Sequence, residues 1–490
     1  MRKLTLLLLS LALAFTVSAK TLTIAVLDNA PTLDPHATFN GYSFGVTNQV
    51  YENLVRLTPD AEVIPGLAES WSYPDEYTLR LALREGVSFH DGTPFNAAAA
   101  KASIDRFLAD ETAGPGKFVL TAITDAVVVD EYTLDLITDP PFAPLLAHLA
   151  HPTAAIVPVG DYDLARRPVG TGPFVFDSWT VGSEINLVAN EDYWGGRPQI
   201  EKVRMRVIPE MSTQIVELRS GGVDMIFGLP ADNYASVKND ENLVASDFYG
   251  WGTYVLGFNA DNPKLEDVRV RQALAHMIDK TLIADVLLDG QAAPGASAIP
   301  PTVRFALDME DPYPYDPERA KELLAEAGVE SLKLRFDGSA DPQVEAIAQV
   351  LQFEFSEIGV DLEIRMQPYA AYAEATARDD LELYFMTWGT VTLDADYALY
   401  AFYHSSQIPD NNYSRYRNDE VDAQLELARE SSDPDVRAEA YAFVQEETLK
   451  DATQIAVVYP KSNYVKTHRL SGEILPFSWI NLDLRNATLE

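Results

Sequence analysis

A chain of 490 residues, 47% apolar and 10% aromatic, exceeds the ~250–300 residues at which one core stops growing, so it predicts at least two lobes of a globular chain whose composition is far from that of disorder. It contains no cysteine, which excludes disulfide staples, thiolate metal ligands and thiol nucleophiles. Acidic residues outnumber basic ones 74 to 37, a formal net charge of −37 that repels phosphate backbones and anionic lipid, so neither nucleic acid nor a membrane surface is an expected partner.

The chain opens with a short basic "MRK", an apolar "LTLLLLSLALAF" and the small-residue site Val17-Ser18-Ala19. This is the pattern of a secretory signal peptide over residues 1–19, with a mature chain from Lys20. The apolar run is about a dozen residues against the roughly 20 that span a bilayer, and no later segment is longer and apolar. No cysteine follows to carry a lipid, so a free periplasmic protein is the expected product. "TLTIAV" then alternates as a strand and runs into "LDNAPTLDPHATFNGYSF", a loop rich in Asn, Pro, Gly and aromatics.

Further along, "LLAHLAHPTAA" places His148 and His151 at a spacing that on a helix sets two imidazoles on one side. A metal there needs ligands from elsewhere. The plainer reading is a helix end with one histidine near a cleft and the other at solvent. "VGTGPFVF" has threonine between its glycines and continues into a strand, so it marks a tight turn rather than a nucleophile elbow. "AGPGKF" lacks the upstream glycine of a phosphate loop, and "YGWGTYVLG" lacks the third glycine of a dinucleotide turn. No catalytic constellation emerges from these motifs, and no cofactor is expected.

A domain change is expected where a strand ending about Phe258 gives way to a loop with Pro263 and a helix bearing Val270, Leu274, Met277 and Ile278. From 332 to 386 the pattern is βαβαβ: "LKLRF", a helix from Asp341-Pro342 to Gly359, "VDLEIRM", a helix from Tyr369 to Ala377, and "LELYFM". A parallel sheet follows, and in such sheets ligands sit beyond the carboxyl ends of the strands. That end is occupied by "TWGTVTLDADYALYAFYHSS", with a tryptophan, three threonines, two aspartates and several tyrosines. Of Asp394 and Asp396, one is expected to accept from a ligand amine and the other to cap a helix starting around Ala398. "QIAVVYPKSNYVKTH" reads as a strand, and the last stretch is expected to return to the first lobe.

Taken in order, "PTLDPH" with "VYENLVRL", "IPGLAESWSYPDEYTLRLALREGVSFHDGTPFNA", "RRPVGTGPFVF", "NEDYWGGRPQIEKV" and "LGFNADNPKLEDVRVRQALAHMIDK" resemble the extracytoplasmic solute-binding proteins of the peptide, nickel and opine class of ABC importers, bacterial solute-binding protein family 5. The resemblance implies an α/β fold, a two-lobed periplasmic-binding-protein clamp of the type II, large class with an extra small domain in lobe I. It also implies a small peptide ligand, an inner-membrane ABC permease as partner, a monomer, and no catalysis. The expected division is 20–57, 172–258 and 475–490 for the lobe I core, 58–171 for the small domain and 259–474 for lobe II.

Peptide binders of this class typically place an aspartate three residues after the loop tryptophan, and here that position is Val391. The loop looks most like the branch associated with glutathione import. By residue chemistry, Trp388 and Tyr397 offer flat faces for an aliphatic or amide stem, Thr390 and Thr392 offer hydroxyls, and Asp394 or Asp396 would take an ammonium. From the facing lobe, Phe39 and Tyr42 wall the cleft while His151 and Thr153 reach the ligand's polar end. Tyr413 and Arg415 are candidate carboxylate partners. The expected ligand is a di- or oligopeptide or a glutathione-like molecule. A nickel or metal chelate, or an oligosaccharide, is the alternative within binding, and a periplasmic hydrolase the alternative outside it.

Overall fold

The computed structural model describes residues 20–109, 114, 116–472, 474 and 482–490. The signal peptide expected over residues 1–19 lies outside the described residues. Thr21–Val26 runs parallel to both Lys202–Val207 and Met225–Phe227, and the antiparallel strands Glu184–Ala189 and Phe174–Thr180 extend that sheet outward. Alternation decides which face is buried: Leu22 and Ile24 enter a core with Phe174, Leu187 and Val203, and Leu482, Leu484 and Leu489 from the chain's end join it.

The second sheet is built by the βαβαβ stretch. Leu332–Ser339 lies between Val360–Gln367 and Leu383–Gly389, parallel to each. Its first crossover helix, Pro342–Ser356, starts where the Asp341 carboxylate accepts from the N–H groups of Gln343 and Val344, and it buries Val344, Ile347, Leu351 and Phe355. The sheet is nonetheless mixed, because Gly252–Phe258 pairs antiparallel with Leu383–Gly389. Gly257 permits that pairing, since a Cβ there would lie 1.9 Å from the Tyr384 ring.

One strand joins the two sheets. Gln454–Thr467 pairs through its first residues with Gly252–Phe258, and through its last with Leu243–Tyr249 and Met225–Phe227. Among the described residues, the strand partners change at two places, Gly250–Trp251 and Tyr459–Lys461. Leu256 and Phe258 pack in the second lobe's core and Leu470 in the first's.

A third, separate core belongs to the small four-stranded antiparallel sheet of Ala68–Asp75, Thr78–Leu83, Thr133–Thr138 and Ile123–Asp130, covered by the helix Ala97–Leu108. Arg106 on that helix donates to both carboxylate oxygens of Asp34 and to Nδ1 of His36, pinning the N-terminal loop against the small domain. Among the described residues no helix is long and apolar enough to cross a membrane.

Candidate ligand-binding site

A cavity of about 650 Å³ opens between the small domain and the second lobe. Its first wall carries Phe118, Thr121 and Ala122, then Asp139, Pro140, Phe142 and His148. The facing wall is Trp388 at the end of Leu383–Gly389, Asp396, Tyr397, Tyr400 and Ala401 on the helix Ala395–Tyr403, then Gln407, Asn411 and Arg429. The aromatic run read from the sequence thus does present its faces, because it follows the carboxyl end of a strand lying beside the lobe crossing.

An aromatic seam links the walls. Phe39 lies 5.5 Å from Phe118, Phe118 5.9 Å from Tyr397, and Tyr397 5.5 Å from Trp388, centroid to centroid. These spacings suit tilted ring pairs. The indole Nε1 of Trp388 is buried without a hydrogen-bond partner among the described residues, and so is Nε2 of His148.

The two aspartates are occupied. Asp394 is the helix cap, accepting from the N–H of Asp396, and it also accepts from Arg437 at 2.8 Å. The helix accordingly starts at Ala395, earlier than the expected Ala398. Asp396, only 2% exposed, accepts from Nε and a terminal nitrogen of Arg429 at 3.0 and 2.9 Å, so it is not the bare carboxylate expected for a ligand amine. The Arg429 guanidinium in turn lies 3.2 Å from the centroid of the Tyr400 ring.

Other expected positions separate from the cavity. His151 and Thr153 are buried beneath Phe39: the His151 ring stacks on Phe39 at 5.1 Å, and its Nδ1 accepts from the Thr153 N–H. Burial pushes His151 down to about 3, so it stays neutral. His148 is also buried, so neither histidine meets solvent, and among the described residues no group of three or more His, Asp or Glu could hold a metal. Thr390 and Thr392 are fully buried in the turn after the strand, where the Thr392 hydroxyl accepts from the Asp394 N–H. Tyr413 packs edge-on against Tyr384, and Arg415 is buried, donating to the carbonyls of Thr376 and Arg378 instead of facing a carboxylate. Tyr42 sits in the first turn of the helix Gly41–Val50, which Asn40 caps, outside the cavity lining.

Among the lining residues missed by sequence reasoning, Tyr400 had a signal, lying one helical turn beyond Tyr397. Phe118, Asp139 and Arg429 had none, since nothing local marks them as lining the same cavity as Trp388.

Residues 62–410, more than half of the chain, match the family described as "Bacterial extracellular solute-binding proteins, family 5 Middle". The chain belongs to this family. Among its relatives is the glutathione-binding protein GsiB of Salmonella typhimurium, 28% identical over 489 residues, with 96% of this chain and 95% of the relative covered. HbpA2 from Haemophilus parasuis has the same fold at a TM-score of 0.88 and 26% identity, covering 96% of this chain and 100% of that one. The periplasmic binding protein DppA from Helicobacter pylori, in complex with the peptide STSA, superposes at a TM-score of 0.77 with 28% identity, over 96% and 98% of the two chains. The family 5 protein is thus an α/β two-lobed clamp, and its relatives are solute-binding transport proteins rather than enzymes.

Proposed function

We propose that this protein captures a small peptide between its lobes and delivers it, chemically unchanged, to the inner-membrane permease of an ABC importer. The observation that carries this reading is the cavity of about 650 Å³ whose two walls come from different lobes, each offering aromatic faces and a buried polar atom without an internal partner. Contacts to both walls are complete only in a closed clamp, so a ligand shifts the population toward closure. The glutathione of GsiB and the STSA peptide of DppA support a small peptide as the class of ligand.

The clamp bends where the strand partners change, at Gly250–Trp251 and Tyr459–Lys461, upstream of the expected divisions after Phe258 and Ile474. The protein works as a soluble periplasmic monomer. A panel of di- to pentapeptides that includes glutathione tests the reading by thermal shift. A ligand bound only by the folded state stabilises by about 2.7 kcal/mol at 100 times Kd. A panel that leaves the melting temperature unmoved overturns the peptide assignment, and peptides recovered cleaved after long incubation overturn the non-catalytic one.

A further inference from the structure

We infer that the ligand's ammonium group is recognised by the small domain's wall, with Asp139 as the carboxylate that binds it. This rests on the peptide reading and adds to it which end of the ligand faces which lobe. Of the charged side chains that line the cavity, Asp396 is matched by Arg429, and its neighbour Asp394 is matched outside the cavity by Arg437. Asp139 is the remaining one: it is exposed at the end of the strand Thr133–Thr138 and makes no ion pair or hydrogen bond among the described residues. Among the described lining residues, two carboxylates and one guanidinium sum to a single net negative charge. Val391, at the position where a carboxylate was sought after Trp388, carries no charge and lines a different cavity of about 100 Å³.

A second observation points the same way. The Nδ1 of His148 lies 2.7 Å from the carbonyl oxygen of Val119. A carbonyl can only accept, so Nδ1 carries the proton and Nε2 of the neutral ring is an acceptor, buried and without an internal partner. Burial lowers the pKa of this histidine, which keeps the ring neutral near pH 7. The small domain's wall therefore carries two acceptors without internal partners among the described residues, the exposed Asp139 carboxylate and the buried His148 Nε2. Across the cavity the Trp388 indole can only donate. A zwitterion fits this polarity in one direction: ammonium toward Asp139 and His148, carbonyl or carboxylate oxygen toward Trp388.

The test is calorimetric titration of alanyl-phenylalanine and glutathione, each beside its N-acetylated form, into the unaltered protein, Asp139→Asn and Asp139→Lys. Asp139 is exposed, so both variants keep the fold. Acetylation is expected to weaken binding to the unaltered protein about tenfold or more, the size of one lost charge-assisted hydrogen bond. Asp139→Asn is expected to weaken the free-amine peptides by a similar factor and leave the acetylated ones unchanged, with Asp139→Lys weaker still for free amines. Equal affinity for free and acetylated forms, or equal losses for both in Asp139→Asn, overturns the assignment while leaving peptide binding intact. Failure of all four compounds to bind the unaltered protein overturns the peptide reading and this assignment with it.

Discussion

Asp396 is almost without solvent, and Arg429 supplies the two donors that make a carboxylate tolerable there. Removing the guanidinium leaves that charge buried and uncompensated, so Arg429→Ala should cost about 3–5 kcal/mol of stability by chemical denaturation, well beyond an exposed ion pair. Arg429→Lys, with a compact charge in place of a planar fork, should recover only part of it. Burial also sets how stability depends on pH. It pushes His36 down to about 4 and His151 to about 3, whereas an unfolded histidine titrates near 6.5. Between those values the unfolded chain binds more protons than the folded one, so the stabilisation is complete above pH 6.5 and falls away toward pH 4 and then 3. Glu354 works in the opposite direction, because desolvation raises it to about 8 and the folded state keeps it protonated. Its contribution is present below pH 4.5 and lost as pH rises through 8, so Glu354→Gln should raise the melting temperature more at pH 8 than at pH 5.

At the scale of elements, the stretch 332–386 was legible because each segment carries its own period: two for the strands, and one apolar stripe from Val344 to Phe355 for the first helix. Its start was legible too, since Asp341-Pro342 combines a cap with a proline at the first position. Asp341→Ala should cost about 1 kcal/mol, read as a lower denaturation midpoint with an unchanged slope. The antiparallel neighbour Gly252–Phe258 was not legible as part of the same sheet, because no residue within it names its partner. Gly257 records that pairing only after folding, through the Tyr384 ring lying where a Cβ would stand. Gly257→Ala should therefore destabilise by about 1–3 kcal/mol or more through overpacking, a loss that Tyr384→Leu should partly relieve.

For the whole molecule, the junction through Gln454–Thr467 matters most. In the proposed clamp the two changes of strand partner are where the lobes rotate, and the separate cores are what would keep each lobe rigid. Addition of a bound peptide should shrink the radius of gyration measured by small-angle scattering, and a cross-link spanning Phe118 and Tyr397 should abolish that change. Arg106 holds Asp34 and His36 of the N-terminal loop against the small domain, so on closure the first wall is expected to travel as one piece.

Periodicity, capping residues and the order of family-like segments are local properties of the chain, so the α/β class, the main strands and helices and the clamp were determined by the amino-acid sequence. The tryptophan and tyrosine of the cavity were legible for the same reason: they lie in one run at the end of a readable strand. Which charges stay free was decided only by tertiary structure, since Asp396 finds Arg429 and Asp394 finds Arg437 across helices that the loop's own residues do not specify. The burial of His151, Thr390, Thr392 and Arg415 was decided there as well. An ion pair or a buried site depends on distances between segments far apart in the chain, and those distances exist only once the lobes have packed.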